Sequence, residues 1–189
     1  MNNVSKTVRT EQERYTVAAF YQFAPMGDKA QLQSLQAQLQ ELCLQENLRG
    51  TLILAHEGVN STVSGPAAGV RRLIETLRTY PGLDTLEVKY SEASRQAFHR
   101  MKVKIKPEIV TLRVPYVDPS HKVGRYLSPQ DWDALIADPR TLVLDTRNSY
   151  EYEAGTFQGA INPNTRSFCE FPAYVAQHLA QHKDRPIAT

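Results

Sequence analysis

Residues Thr51 to Ser64 read TLILAHEGVNSTVS: two β-prone runs, TLILA and NSTVS, on either side of His56-Glu57-Gly58-Val59. Aliphatic and β-branched residues suit a pleated strand, glycine supplies a positive φ and asparagine a local hydrogen bond, so the stretch predicts a hairpin. Upstream, Thr16 to Phe23 (TVAAFYQF) is rich in β-branched and aromatic residues and ends at Ala24-Pro25, which predicts a strand. A helix follows, with Asp28 as its N-cap and Leu32, Leu35, Leu39 and Leu42 at helical spacing through a Gln-rich segment that ends near Asn47 and Gly50. Cys43 sits beside that stripe as a small hydrophobe. Downstream, Pro66 fits the first turn of a second helix, with Val70, Leu73, Ile74 and Leu77 on its apolar face and Tyr80-Pro81-Gly82 as its stop. Leu86 to Ser91 alternates as a fourth strand.

The order strand, helix, strand, strand, helix, strand is the split βαβ pattern of an α+β ferredoxin-like or acylphosphatase-like sandwich, with both helices on one sheet face. Arg95 to Leu112 reads as an extension of it. The expected first domain is therefore residues 1–113. Residues 114–127, with Pro115, Pro119 and Gly124, read as a linker.

Residues 128–189 read as the N-terminal part of an α/β domain. Ser128 is an N-cap, Pro129 takes the first helical position, and Asp131 faces the dipole; Trp132, Leu135 and Ile136 are expected to be buried. Leu142-Val143-Leu144 has the continuous apolar character of a buried parallel strand and delivers Asp145 at its carboxyl end, where α/β folds gather functional groups. A helix over Ser149 to Ala154, an apolar step at Ala160-Ile161 and a helix over Phe171 to His182 complete what is present, with a further strand beginning near Pro186.

Composition narrows the classes. The chain has 189 residues, 41% of them hydrophobic, enough for two small cores. It holds no apolar run of the roughly 18 residues a membrane helix needs and no apolar signal core at its start, so a cytoplasmic location is expected. Cys43 and Cys169 form no CxxC pair or disulfide framework, which fits a reducing compartment and leaves the two sequons at Asn3 and Asn60 without meaning. Residues 1–113 carry 15 Lys and Arg against 11 Asp and Glu, and residues 114–189 carry 7 against 9. A basic front half permits a nucleic-acid partner.

Three constellations stand out. Asp145, Arg147, Glu151 and Gly155 surround a helix start; Arg147 and Glu151, four apart, are spaced for an ion pair that either shapes the rim of a site or contacts substrate. His56, Glu57, Gly58 and Asn60 are either an ordinary turn or polar groups on a cleft. Arg95, Phe98, His99, Arg100, Lys102, Lys104 and Lys106 form a basic cluster. In a strand its three lysines share one face, with Met101, Val103 and Ile105 on the other. That row either follows a phosphate backbone, with Phe98 free to stack on a base, or protects an edge strand. His56, His99, His121, His178 and His182 make no recognisable ligand triad; His178 and His182 are expected to share one solvated helical face, and no metal is expected.

The run DTRNSYEYEAGTFQGAIN, Asp145 to Asn162, with the spacing D-x-R-x-x-x-E-Y-x-x-G, resembles the rhodanese superfamily, departing from it at Thr156-Phe157, where that family often has His-Ile. The resemblance implies a rhodanese-like second domain whose reactive cysteine heads a glycine-containing loop beyond Thr189. Cys169 precedes a predicted helix whose N-terminus could lower its pKa, but it lies upstream of the strand that should lead into that loop, so no catalytic residue is expected within this chain. The EGVNST turn, with Glu57, Gly58, Asn60 and Thr62 in place and Ser61 where glycine is common, is joined to FHRMKVKIKPEIVTL and the rhodanese-like run. Together they resemble the bacterial tRNA uridine hydroxylase family. That likeness implies oxygen-dependent 5-hydroxylation of the wobble uridine of tRNA by the complete protein, with molecular oxygen as co-substrate, an unknown cofactor and tRNA as partner, this chain being inactive by itself. Rhodanese-type sulfur transfer and a non-enzymatic RNA-binding module are the alternatives.

Overall fold

In the computed structural model the described residues are 14–114, 117 and 124–189. Most of the expected linker and His121 lie outside them. The chain divides into two compact units, one ending at Ile109 and one beginning at Val110.

The first unit comprises β1 (Tyr15–Phe23), α1 (Lys29–Gln45), β2 (Arg49–Ala55), β3 (Gly58–Gly65), α2 (Ala67–Arg78), β4 (Lys89–Ala93) and β5 (Met101–Ile105). The sheet order is β4-β1-β3-β2-β5; the first four strands are antiparallel and β5 runs parallel to β2. The α+β sandwich expected from the sequence is thus present, and the basic extension supplies a fifth strand. Asp28 caps α1 through a capping box with Gln31. From α1, Leu32, Leu35, Leu39 and Cys43 are buried; from α2, Val70, Leu73, Ile74 and Leu77. They meet Ala18, Phe20, Leu52, Leu54, Val59 and Val63 on one sheet face. Each fully buried Leu, Ile or Val side chain there contributes about 1.5–3 kcal/mol.

Three local expectations need correction. The hairpin turn is only His56 and Glu57, because Gly58 and Val59 already pair with Phe23 and Gln22 in β3. Gly58 is required there: its φ is +151°, and a Cβ would stand 2.1 Å from the Gln22 carbonyl oxygen. The fourth strand begins at Lys89, not Leu86. Leu83 and Leu86 are fully buried, Leu86 N–H donates to the Leu83 carbonyl, and Arg78 donates to the Leu86 carbonyl, so this stretch plugs the core before the ladder starts. Pro66 is the N-cap of α2, one residue ahead of its expected place.

β5 lies at a sheet edge, and its free side is answered from α1. Gln36 donates to the Val103 carbonyl at 2.9 Å, and the Val103 N–H donates to Gln40 at 3.2 Å. Two residues of the Gln-rich helix thereby occupy the backbone groups that an intruding strand would use.

The second unit holds α3 (Pro129–Ala137), β6 (Leu142–Val143), α4 (Ser149–Ala154), α5 (Phe171–Tyr174) and β7 (Ile187–Ala188). β6 and β7 pair in parallel, and Leu144 bridges to Ile161. Ser128 caps α3 as expected. Trp132, Leu135 and Ile136 are half-buried, not buried, since the unit's buried cluster is small: Leu142, Leu144 and Leu179, with Phe171 and Tyr174 against it. The single helix expected over Phe171 to His182 is broken into one α turn, a π turn over Val175–Leu179 and a 3₁₀ turn over Ala180–His182. In the widened turn Leu179 reaches the same apolar cluster as Phe171 and Tyr174. His178 meets Tyr174 in a tilted ring contact with centroids 4.7 Å apart, and His178 and His182 fall in different turns, the π turn and the 3₁₀ turn, where one continuous helix was expected.

Candidate functional site

In the second unit β6 ends by presenting Asp145, only 8% exposed, to Arg147. Arg147 Nε donates to one carboxylate oxygen at 2.9 Å and Nη2 to the other at 2.5 Å, the fork geometry that suits guanidinium to carboxylate. The Arg147 backbone N–H and the Thr156 hydroxyl complete the acceptor's shell. Arg147, foremost, holds the Asp145 carboxyl far below the usual carboxylate range, burial opposing the shift and Thr156 adding to it. The same guanidinium donates to the Gly155 carbonyl at 2.7 Å, tying both ends of the loop around α4.

The expected Arg147 to Glu151 ion pair is therefore replaced. Glu151 instead accepts from the backbone and side chain of Asn148 at 3.1 and 2.8 Å as the third residue of a capping box. Glu151 contributes to Arg147 only through its charge at longer range. Two contributors were missed from the sequence, Thr156 and Phe157. They are the positions that depart from the rhodanese pattern, and that departure was the available signal. Phe157 packs on Trp132 with centroids 5.2 Å apart. A cavity of about 730 Å³ lies beside this network, lined by Trp132, Val143, Asp145, Arg147, Phe157 and Thr189 among others. Cys169 lies inside a 3₁₀ turn that runs directly into the four-residue α5, so it precedes a helix as expected, though a short one; it is half-buried, with the Ser167 hydroxyl 3.0 Å away.

In the first unit the hairpin turn is anchored on all sides. The His56 and Glu57 carbonyls accept from Met26 and Ala24, and the His56 ring donates from Nδ1 to the Gly27 carbonyl at 2.6 Å. Glu57 accepts the Ile109 N–H at 2.8 Å, and Asn60 donates to the Ile109 carbonyl at 3.0 Å. Both therefore hold the segment that follows β5. Ser61 is buried and donates to the Thr51 carbonyl at 3.0 Å. Of the basic cluster, Lys102 and Lys104 alternate with Met101, Val103 and Ile105 as expected, the apolar set packing on the helices' core. Lys106 extends the ladder by donating its N–H to the Leu54 carbonyl. Arg95 and Arg100 are exposed on the β4–β5 connection, where Phe98 is half-buried. Among the described residues no group of three or more His, Cys, Asp or Glu is placed to hold a metal ion.

These features define an acylphosphatase-like sandwich joined to a small α/β unit in which a buried aspartate at a strand end is paired with an exposed arginine. Residues 15–109 match the family described as the UPF0176 acylphosphatase-like domain, and the chain belongs to that family. It is 51% identical over 174 residues to a tRNA uridine(34) hydroxylase of Brucella ovis and 50% identical to one of Brucella abortus, each match covering 92% of this chain and 56% of the relative. The chain thus spans little more than half the length of these relatives. Among solved structures, the BlrP1 BLUF protein superposes with a TM-score of 0.42 at 15% identity, over 52% of this chain and 67% of that one. An acylphosphatase from Coxiella burnetii gives 0.35 at 15%, over 51% and 99%. Among the described residues no helix is long and apolar enough to cross a membrane.

Proposed function

We propose that the complete protein hydroxylates uridine 34 of tRNA at C5 in the cytoplasm, with molecular oxygen as co-substrate. In this reading the chain supplies an RNA-facing first domain and the opening part of a rhodanese-like second one, a linker near residues 114–127 joining them. The observation that supports the reading is the 51% identity across 92% of the chain to a protein named tRNA uridine(34) hydroxylase, spanning both units. Asp145, Arg147, Glu151 and Gly155 are positioning residues here. The Asp145 to Arg147 pair and the Gly155 carbonyl fix the loop beside which β7 runs, Leu144 N–H donating to the Ala188 carbonyl at 2.8 Å. The reactive thiol belongs beyond Thr189, Cys169 lying on the turn at Phe168–Glu170. His56, Glu57, Gly58 and Asn60 shape the first domain by seating the chain after β5.

The test is nucleoside mass spectrometry of tRNA from a bacterial strain without its own uridine hydroxylases. The complete protein restores 5-hydroxyuridine, whereas residues 1–189 do not. No product from the complete protein overturns the reading, and thiocyanate formation from thiosulfate and cyanide in its place assigns persulfide chemistry instead.

A further inference from the structure

The two helices cover one face of the first unit's sheet, and strand register identifies what stands on the other. One row across all five strands is Lys89, Ala19, Thr62, Thr51 and Lys102; the next is Tyr21, Asn60, Ile53 and Lys104. Tyr15, Val17 and Phe23 of β1 and Arg49 of β2 share this face by alternation. Ser64, beside Val17 and Arg49 at one end of this face, is fully buried, whereas Thr62, two residues earlier on the same central strand, is exposed, so the open part of the face is the stretch around Thr62 and Tyr21. Tyr21 is 51% exposed and meets Phe23 edge to face, with centroids 6.4 Å apart. Lys89, Lys104 and Arg49 are exposed and Lys102 is half-exposed. Among the described residues, the strand positions on this face include no carboxylate.

The face is framed at both ends. At one, the β4–β5 connection passes the start of β2, Gln96 donating to the Asn47 carbonyl at 3.4 Å. At the other, Asn60 and Glu57 hold Ile109. Between them lies a shallow floor of Thr51, Thr62 and the exposed Tyr21 ring, with the half-buried Tyr15 and Phe23 on the same strand as Tyr21 and lysines on both edge strands. Four strand spacings place Lys89 and Lys102 about 19 Å apart. A base offers a flat apolar face to a ring and its backbone offers negative charge, and this floor provides the complement of each.

We propose that this helix-free sheet face binds a single-stranded segment of RNA, with Tyr21 stacked on a base and Lys102, Lys104 and Lys89 taking flanking phosphates. The identity of that RNA as tRNA rests on the function proposed above; the surface does not. The 189-residue chain is titrated against a fluorescein-labelled oligouridylate of about seven nucleotides, followed by anisotropy at salt between about 50 and 200 mM. Tyr21→Ala weakens binding at least about fivefold and Tyr21→Phe restores it, as loss of one stacked base requires. Thr62→Glu weakens binding and Thr62→Lys does not, the pair controlling for the fold because both place a long side chain at one exposed site. Lys102→Gln lowers the salt slope by about 0.7. Wild-type affinity in Tyr21→Ala and Thr62→Glu, with loss only in Arg95→Gln and Arg100→Gln, overturns the proposal in favour of the β4–β5 connection and leaves the tRNA reading intact. Absence of binding by the wild-type chain at low salt also overturns it, as does RNA-independent dimerisation abolished by Thr62→Glu. Hydroxylation by the complete protein is scored separately.

Discussion

The backbone N–H of Ile109 donates to the carboxylate of Glu57 at 2.8 Å, across 52 residues of chain. Asn60 closes the other side by donating to the Ile109 carbonyl, and Ile109 is 2% exposed. The hairpin turn therefore acts as a clasp on the segment leaving β5.

Replacing Glu57 by Ala orphans a buried amide, and the expected loss of stability is about 1–3 kcal/mol. Glu57→Gln, whose carboxamide oxygen still accepts, retains most of it. Urea unfolding followed by circular dichroism gives the stabilities, and hydrogen exchange at the Ile109 amide localises the effect. Equal loss in Gln and Ala would show that charge, not the hydrogen bond, matters.

Gln36 and Gln40 guard the free side of β5. A Gln36→Leu, Gln40→Leu variant keeps side-chain size but leaves the Val103 N–H and carbonyl without partners, so it should lose about 2 kcal/mol and associate through the edge. Light scattering as a function of concentration reads the second effect. A variant that stays monomeric and fully stable sinks the edge-capping account.

Asp145 stabilises the second unit in a pH-dependent way. Its folded carboxyl titrates below the unfolded value of about 3.9, so the contribution is complete above about pH 5 and fades as pH falls below about 4 towards the folded value. Asp145→Asn should therefore be less stable than the wild type at neutral pH, with the difference shrinking in acid. Trp132, the single tryptophan, lies in this unit and reports its unfolding by fluorescence. A difference that is constant from pH 7 to pH 3 contradicts the pairing.

The two cysteines should part in reactivity. Burial pushes the Cys43 thiol up to about 12 and removes it from solvent, whereas Cys169 is half-buried. An aromatic disulfide reagent at pH 8 is expected to modify Cys169 promptly and Cys43 only after denaturation. Peptide mapping identifies the labelled residue, and rapid native labelling of Cys43 would mean that the α1 core opens easily.

Much of this architecture could be read locally. Leucines at helical spacing, an Asp cap answered by Gln31, and the Ser128-Pro129 start each act within a few residues, so they mark elements whatever the rest of the chain does. Leu86 shows where local pattern misleads. Its alternation with Val88 looks like a strand, but Leu83 and Leu86 gain more by filling the core than by pairing, and the ladder waits until Lys89. At Arg147 local spacing offered Glu151, and a closer carboxylate at Asp145 won by matching both guanidinium nitrogens. The helix over Phe171 to His182 broke where Leu179 had to reach Leu142 and Leu144.

By itself the sequence determined the order of elements, the family signature around Glu57 to Thr62 and the alternation of lysines with apolar residues from Met101 to Lys106, because periodicity and capping are properties of neighbouring residues. Only the tertiary structure decided that Glu57 and Asn60 grip Ile109, that glutamines seal β5, and that Thr62 and Tyr21 are solvent-exposed between lysines on a sheet face. Those outcomes depend on where distant segments return, and hydrogen-bond geometry and burial select partners only once they have.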